Sequence, residues 1–159
     1  MPLDLTNLLP LIEEMPAYQR LVAELKQKNS AGVVVIDAAK PYFVAALHHQ
    51  LNLPVLVVTA QPEKAKNLYE QLLTWRPASP VKLFPEPEAL PYERLATDNT
   101  TEIERLQVLS ALSNIVSDSS SGKDGAVEAP PLIIVSAPAL MQKLLSHHDF
   151  TSASHTVRV

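Results

Sequence analysis

The chain contains no cysteine among its 159 residues, so disulfides, thiolate nucleophiles and cysteine-ligated zinc are excluded. Glycine is nearly as scarce. Only Gly32, Gly122 and Gly125 occur, where average usage of about 7% would supply on the order of eleven. Phosphate-binding loops need glycine wherever the backbone must approach an anion closely or take positive φ. Neither GxGxxG nor GxxxxGKS/T can be written in this sequence, which excludes the usual nucleotide-binding loops. No apolar run approaches the roughly 18 residues that span a bilayer, and the opening MPLDLTNLLP lacks the basic start of a signal peptide. The expectation is a cytoplasmic protein with no membrane partner.

Positive charge is also short. The formal net charge is −4 and the sequence pI about 5.7, which argues against a free-standing nucleic-acid binder. Residues 1–80 balance seven basic against seven acidic side chains, whereas 81–105 carry Lys82, Arg94 and Arg105 against six acids. What the chain does have is apolar content, 47%, and proline, 14 residues. A length of 159 residues fits one domain that buries about 70% of its unfolded surface without staples.

After N-terminal helical segments the pattern alternates strand and helix. Tyr18, Leu21, Val22 and Leu25 repeat at helical spacing behind Pro16. Val33-Val34-Val35-Ile36 reads as a buried strand, followed by a helix opened at Pro41. Val55–Val58 repeats the strand signal, and Pro62 starts a helix with the stripe Ala65, Leu68, Tyr69, Leu72 and Leu73. Val81–Phe84 and Leu132–Val135 are the remaining internal strands, the latter leading into a helix behind Pro138 that spans Leu145. Between them lie a proline-bearing loop over 85–100 and a capping-box helix from Thr101 to about Val116, then a low-complexity linker over 117–130. Residues 155–159 alternate like the start of another strand. Strands separated by helices of this length predict an α/β fold: a parallel sheet with helices on both faces, binding ligands beyond the carboxyl ends of its strands.

Candidate chemistry is sparse. Val34 to Pro41 has the frame of a phosphate loop between a strand and a helix, with Lys40 in the lysine position. Val34 and Ala39 occupy the two glycine positions, Pro41 replaces the magnesium-binding hydroxyl residue, and Asp37 sets a carboxylate where phosphate would lie. This is a degenerate loop. The pairs His48–His49 and His147–His148 lack the i, i+3 or i, i+4 spacing of ligands on one helix face, and they read as residues near helix C-termini. No metal site or catalytic constellation is expected. A stand-alone α/β nucleotide- or small-molecule-binding domain stays open as the alternative to a non-catalytic module.

The segment Leu83-Phe84-Pro85-Glu86-Pro87-Glu88-Ala89-Leu90-Pro91-Tyr92-Glu93 resembles the N-terminal region of the transcription-repair coupling factor family, Mfd. So do Glu104-Arg105-Leu106, Leu132–Leu144, and upstream Phe43–Leu47, Pro54–Thr59 and Lys66–Leu73, in the same order. The family consists of ATP-dependent DNA translocases that displace stalled RNA polymerase and recruit UvrA in transcription-coupled repair. The resemblance implies a UvrB-like, RecA-like module with a degenerate phosphate loop and no cofactor of its own, ATP and Mg²⁺ belonging to a distant module of the parent. It further implies contacts with the parent's other modules, and with UvrA, RNA polymerase and DNA only through the parent. The organisation expected is a helical segment over 1–30, the RecA-like module over 31–150 and the start of a further module over 151–159. In the stiff 85–100 loop, Leu90 and Tyr92, with Arg94 as a possible ion-pair partner, either dock a neighbouring module or pin the loop to its own sheet.

Overall fold

The computed structural model describes residues 4–76, 80–87, 99–121, 129–144 and 146–153, with the side chains of residue 99 and of 116–121 set aside. A 3-10 helix over Thr6–Glu14 leads into α1 (Pro16–Lys28), and α2 spans Lys40–Leu51. Next come β1 (Val55–Thr59), α3 (Pro62–Trp75), β2 (Val81–Phe84), α4 (Asn99–Ser121) and β3 (Leu132–Ser136). Two short helices, α5 (Ala137–Met141) and α6 (His147–Ala153), close the described chain.

Among the described residues the sheet has three strands in the order β1-β3-β2, all parallel, with Val57 and Leu83 both in register with Ile134. β3 is buried at all five positions because it has a strand on each side and helices on each face. One face carries Leu132 and Ile134 into a cluster with Ala65 and Leu72 of α3, Ala45 and Ala46 of α2, and Leu9, Ile12, Tyr18 and Val22 of the N-terminal helices. The other carries Ile133 and Val135 against Val108 and Leu109 of α4, with Phe84 and Ala139. The fold is therefore α/β with helices on both faces of a parallel sheet, and the helices before residue 31 share one core with the sheet.

Local chemistry accounts for most element ends. Prolines at the first or second position of α1, α2, α3 and α5 cost no helical hydrogen bond there. α1 and α2 end on Asn29 and Asn52 at φ 56° and 48°, so asparagine takes the left-handed position that glycine would hold in a chain less poor in it. The N-terminal segment is tied to the end of α3, Leu5 N–H donating to Thr74 O (3.2 Å) and Thr6 Oγ1 to Trp75 O (3.1 Å).

Three expectations change. Val33–Ile36 forms no strand: it runs irregularly outside the sheet, with Val34 wholly in solvent. Its β-branched composition favours extended backbone but does not by itself choose a partner strand. α4 begins two residues before Thr101 and continues to Ser121. The helix behind Pro138 stops at Met141, and a new one starts at His147, because Ser146 and Asp149 form a cap. The Asp149 N–H donates to Ser146 Oγ (3.1 Å), which donates to Asp149 Oδ2 (2.7 Å). Leu90, Tyr92 and Arg94, like 155–159 and residues 122–128 of the linker, lie outside the described residues. No helix among the described residues is long and apolar enough to cross a membrane.

The central position of β3 sets a measurable asymmetry. Ile134→Ala, at a side chain with no exposure, is expected to cost about 2–5 kcal/mol in urea unfolding. Leu11→Ala, on the exposed side of the 3-10 helix, should stay within about 0.5 kcal/mol.

Candidate functional site

Two regions carry the chemistry expected of an α/β sheet. The first is the carboxyl edge, where β2 and β3 end against the N-terminus of α3. A cavity of about 240 Å³ opens there, lined by Pro62, Glu63, Lys66, Phe84, Glu86 and Ser136 among others. Ser136 is buried, and its Oγ accepts the Ala139 N–H at 3.2 Å as the cap of α5. The same hydroxyl donates to Glu86 Oε1 at 3.4 Å. A serine so engaged is a poor nucleophile, since activation requires a base that can take its proton, and a glutamate alone supplies no histidine-like relay. Arg105 of α4 reaches across β2, its Nη1 donating to Pro85 O at 2.6 Å while its guanidinium sits 4.1 Å from the Phe84 ring centre. Burial lowers the pKa of that guanidinium, yet arginine stays charged at physiological pH, and its roles are a carbonyl clamp and a cation–π contact.

The second region is the degenerate loop, Val34 to Pro41. Residues 37–39 form one 3-10 turn and Lys40 opens α2. Lys40 Nζ pairs with Asp37 Oδ1, and the two side chains are both largely exposed. The hydrogen bond and charge of Lys40 hold the Asp37 carboxyl below its usual range. Pro41 is buried at the start of α2 and offers no N–H to an anion. The structure thus brings Asp37, Ala39, Lys40 and Pro41 together at one helix start and leaves Val34 in solvent. The lysine that would meet a phosphate is paired with its own neighbour.

Two buried polar groups escape sequence reading. His48 is almost fully buried, and its Nε2 lies 2.9 Å from Pro130 O. A carbonyl can only accept, so in the neutral ring Nε2 carries the proton and Nδ1, which has no partner among the described residues, does not. Here His48 ties α2 to the entry of β3, while His49 faces solvent. The second pair opens α6 rather than ending a helix, with His147 Nε2 3.4 Å from Ser113 Oγ of α4. Tyr18 is the other group: its buried hydroxyl has no hydrogen-bond partner among the described residues, and burial followed by the Glu13 charge pushes its pKa up to about 12. Tyr18 also lines an apolar groove of about 360 Å³ between α1, α2 and residues 33–36. Among the described residues no group of three or more histidines and carboxylates could hold a metal ion.

No family model matches the chain, and no curated protein or solved structure matches it significantly.

His48 gives this region a pH signature. Burial lowers its pKa from the ordinary 6.5, against the Pro130 bond and together with the Arg76 and His49 charges. Below 6.5 the unfolded chain binds a proton that the folded chain refuses, so stability is full above that pH and falls as pH drops toward the depressed folded value. Urea midpoints measured at pH 7.5 and 5.5 should differ in the native chain. In His48→Gln, which cannot titrate, that difference should shrink.

Proposed function

We propose that the chain is a non-catalytic scaffold module, the UvrB-like, RecA-like module that its sequence resembles at the N-terminus of transcription-repair coupling factors. The observation that carries the reading is the start of α2, where a phosphate loop would sit. There the lysine is paired with Asp37, the second residue of the helix is a proline, and the preceding apolar run lies outside the sheet. A nucleotide phosphate bound there would face the Asp37 carboxylate and would find fewer backbone donors than a glycine loop provides. The cavity at the strand ends supports the same view, since its hydroxyl caps α5.

On this reading the chain needs no cofactor, and ATP and Mg²⁺ act in the parent translocase. UvrA, RNA polymerase and DNA are partners of the parent, while this module packs against the parent's other modules. The competing reading is a stand-alone domain that binds nucleotide through Lys40.

Isothermal titration separates the two. The expected result is no saturation by Mg-ATP below about 1 mM, equivalent to binding weaker than about −4 kcal/mol. Micromolar binding that Lys40→Ala abolishes contradicts the scaffold reading. Duplex DNA should also bind weakly, with a dissociation constant above about 10 μM near physiological salt, because a chain of net charge −4 neutralises few phosphates. Fluorescence anisotropy over a salt series checks this, and tight binding with a steep salt slope contradicts it.

A further inference from the structure

Tyr18 of α1 holds a polar group that neither the fold nor the strand-end chemistry uses. The residue is 4% exposed, and its hydroxyl is sealed from water with no hydrogen-bond partner among the described residues. A buried hydroxyl left unpaired costs stability, so its retention calls for a reason. Its polar neighbours are engaged elsewhere. The Tyr42 hydroxyl donates to Leu8 O at 2.9 Å, and the Glu13 backbone carbonyl accepts from Gln19 Nε2 at 2.8 Å. The Glu13 carboxylate is close enough to act on the Tyr18 hydroxyl through its charge but makes no bond to it.

Tyr18 is also a wall of the groove between α1, α2 and residues 33–36, whose volume of about 360 Å³ falls within the range of small-molecule sites. Ile12, Leu21, Tyr42 and Phe43 line it too, and no charged side chain does so among the described residues. The Tyr18 and Phe43 rings meet edge to face, with centroids 6.0 Å apart and planes at 87°, an arrangement a third ring can join. The remaining wall is irregular. No backbone hydrogen bond joins residues 33–35 to a described residue, and Gly32 before them has open space where a Cβ would stand. A wall held so lightly shifts at lower cost than a packed helix.

We infer that this groove binds a neutral aromatic molecule carrying one oxygen acceptor, and that the Tyr18 hydroxyl donates its hydrogen bond to that acceptor. Burial of the ring against apolar walls supplies affinity, and the single hydroxyl supplies selectivity. Residues 33–35 move outward as the ligand enters, opening the hydroxyl to it. The new bond replaces none that the hydroxyl already makes, to water or to protein. An anionic ligand is disfavoured by the Glu13 charge beside the hydroxyl, and a hydrocarbon leaves the hydroxyl unpaired. The inference does not rest on the scaffold reading, which concerns Lys40 and Asp37.

Acetophenone and α-methylstyrene test it, because the second replaces the carbonyl oxygen of the first by CH₂ and keeps its shape. Both are titrated into the full chain and into Tyr18→Phe, followed by amide NMR. Acetophenone is expected to saturate shifts at Tyr18, Phe43 and 33–36 with a dissociation constant of about 1 mM or below. α-Methylstyrene should bind the native chain at least about fivefold more weakly, the worth of one hydrogen bond. In Tyr18→Phe the two probes should bind within about twofold of each other, through loss of acetophenone affinity alone. The urea midpoint of that variant should equal or exceed the native one, since the hydroxyl it removes has no partner. Shifts that do not saturate, or that map away from the groove, overturn the proposal. So do equal affinities of the two probes for the native chain, or an acetophenone affinity that Tyr18→Phe leaves unchanged. A lowered urea midpoint in Tyr18→Phe also overturns it, because the hydroxyl then has a structural partner of its own.

Discussion

The burial of β3 is the constraint on which the rest of the structure depends. Leu132-Ile133-Ile134-Val135-Ser136 has no solvent-facing position, so both its faces and both its edges must be covered by something else. Its edges take β1 and β2, its faces take α3 and α4, and its ends are fixed by two polar contacts. At the entry, the His48 ring donates to the Pro130 carbonyl. At the exit, Ser136 turns the chain into α5 by accepting a backbone N–H. A strand without a wet side can be apolar throughout, and the two helical faces then arise from the alternation of its side chains.

The same arrangement shows how polar groups described at the carboxyl edge are used. Ser136, which lines the cavity, and Arg105 beside it each fix backbone, one at a helix start and one on the Pro85 carbonyl. Lys40, at the other strand-to-helix junction, is balanced by Asp37. Ser136, Arg105 and Lys40 thus each have a structural partner, which is what the scaffold proposal draws on.

Much of the fold was legible. The runs at 55–58, 81–84 and 132–135 became strands, and the prolines at 16, 41 and 62 mark helix starts in both sequence and structure. Val33–Ile36 reads the same way yet lies outside the sheet, because periodicity and composition report a preference for extended, buried backbone while pairing is a long-range choice. The cap at Ser146 and Asp149 is masked in the sequence by the apolar stripe before it, which predicts a helix through Leu145. His48 could not be found as a tether from its place beside His49. The contact it makes is 82 residues away, and neither histidine spacing nor helix position encodes that distance. The degenerate loop was legible for a simpler reason: missing glycines are visible without any structure.

The central claim, that this chain works as a packing module of a larger translocase, is tested most directly by association. The chain can be mixed with a transcription-repair coupling factor from which the matching N-terminal residues have been deleted, and the mixture monitored by sedimentation velocity. The account predicts a one-to-one complex that sediments faster than either component and persists without added nucleotide. Two boundaries that remain separate at concentrations well above about 10 μM, roughly the range of weak transient association, contradict it.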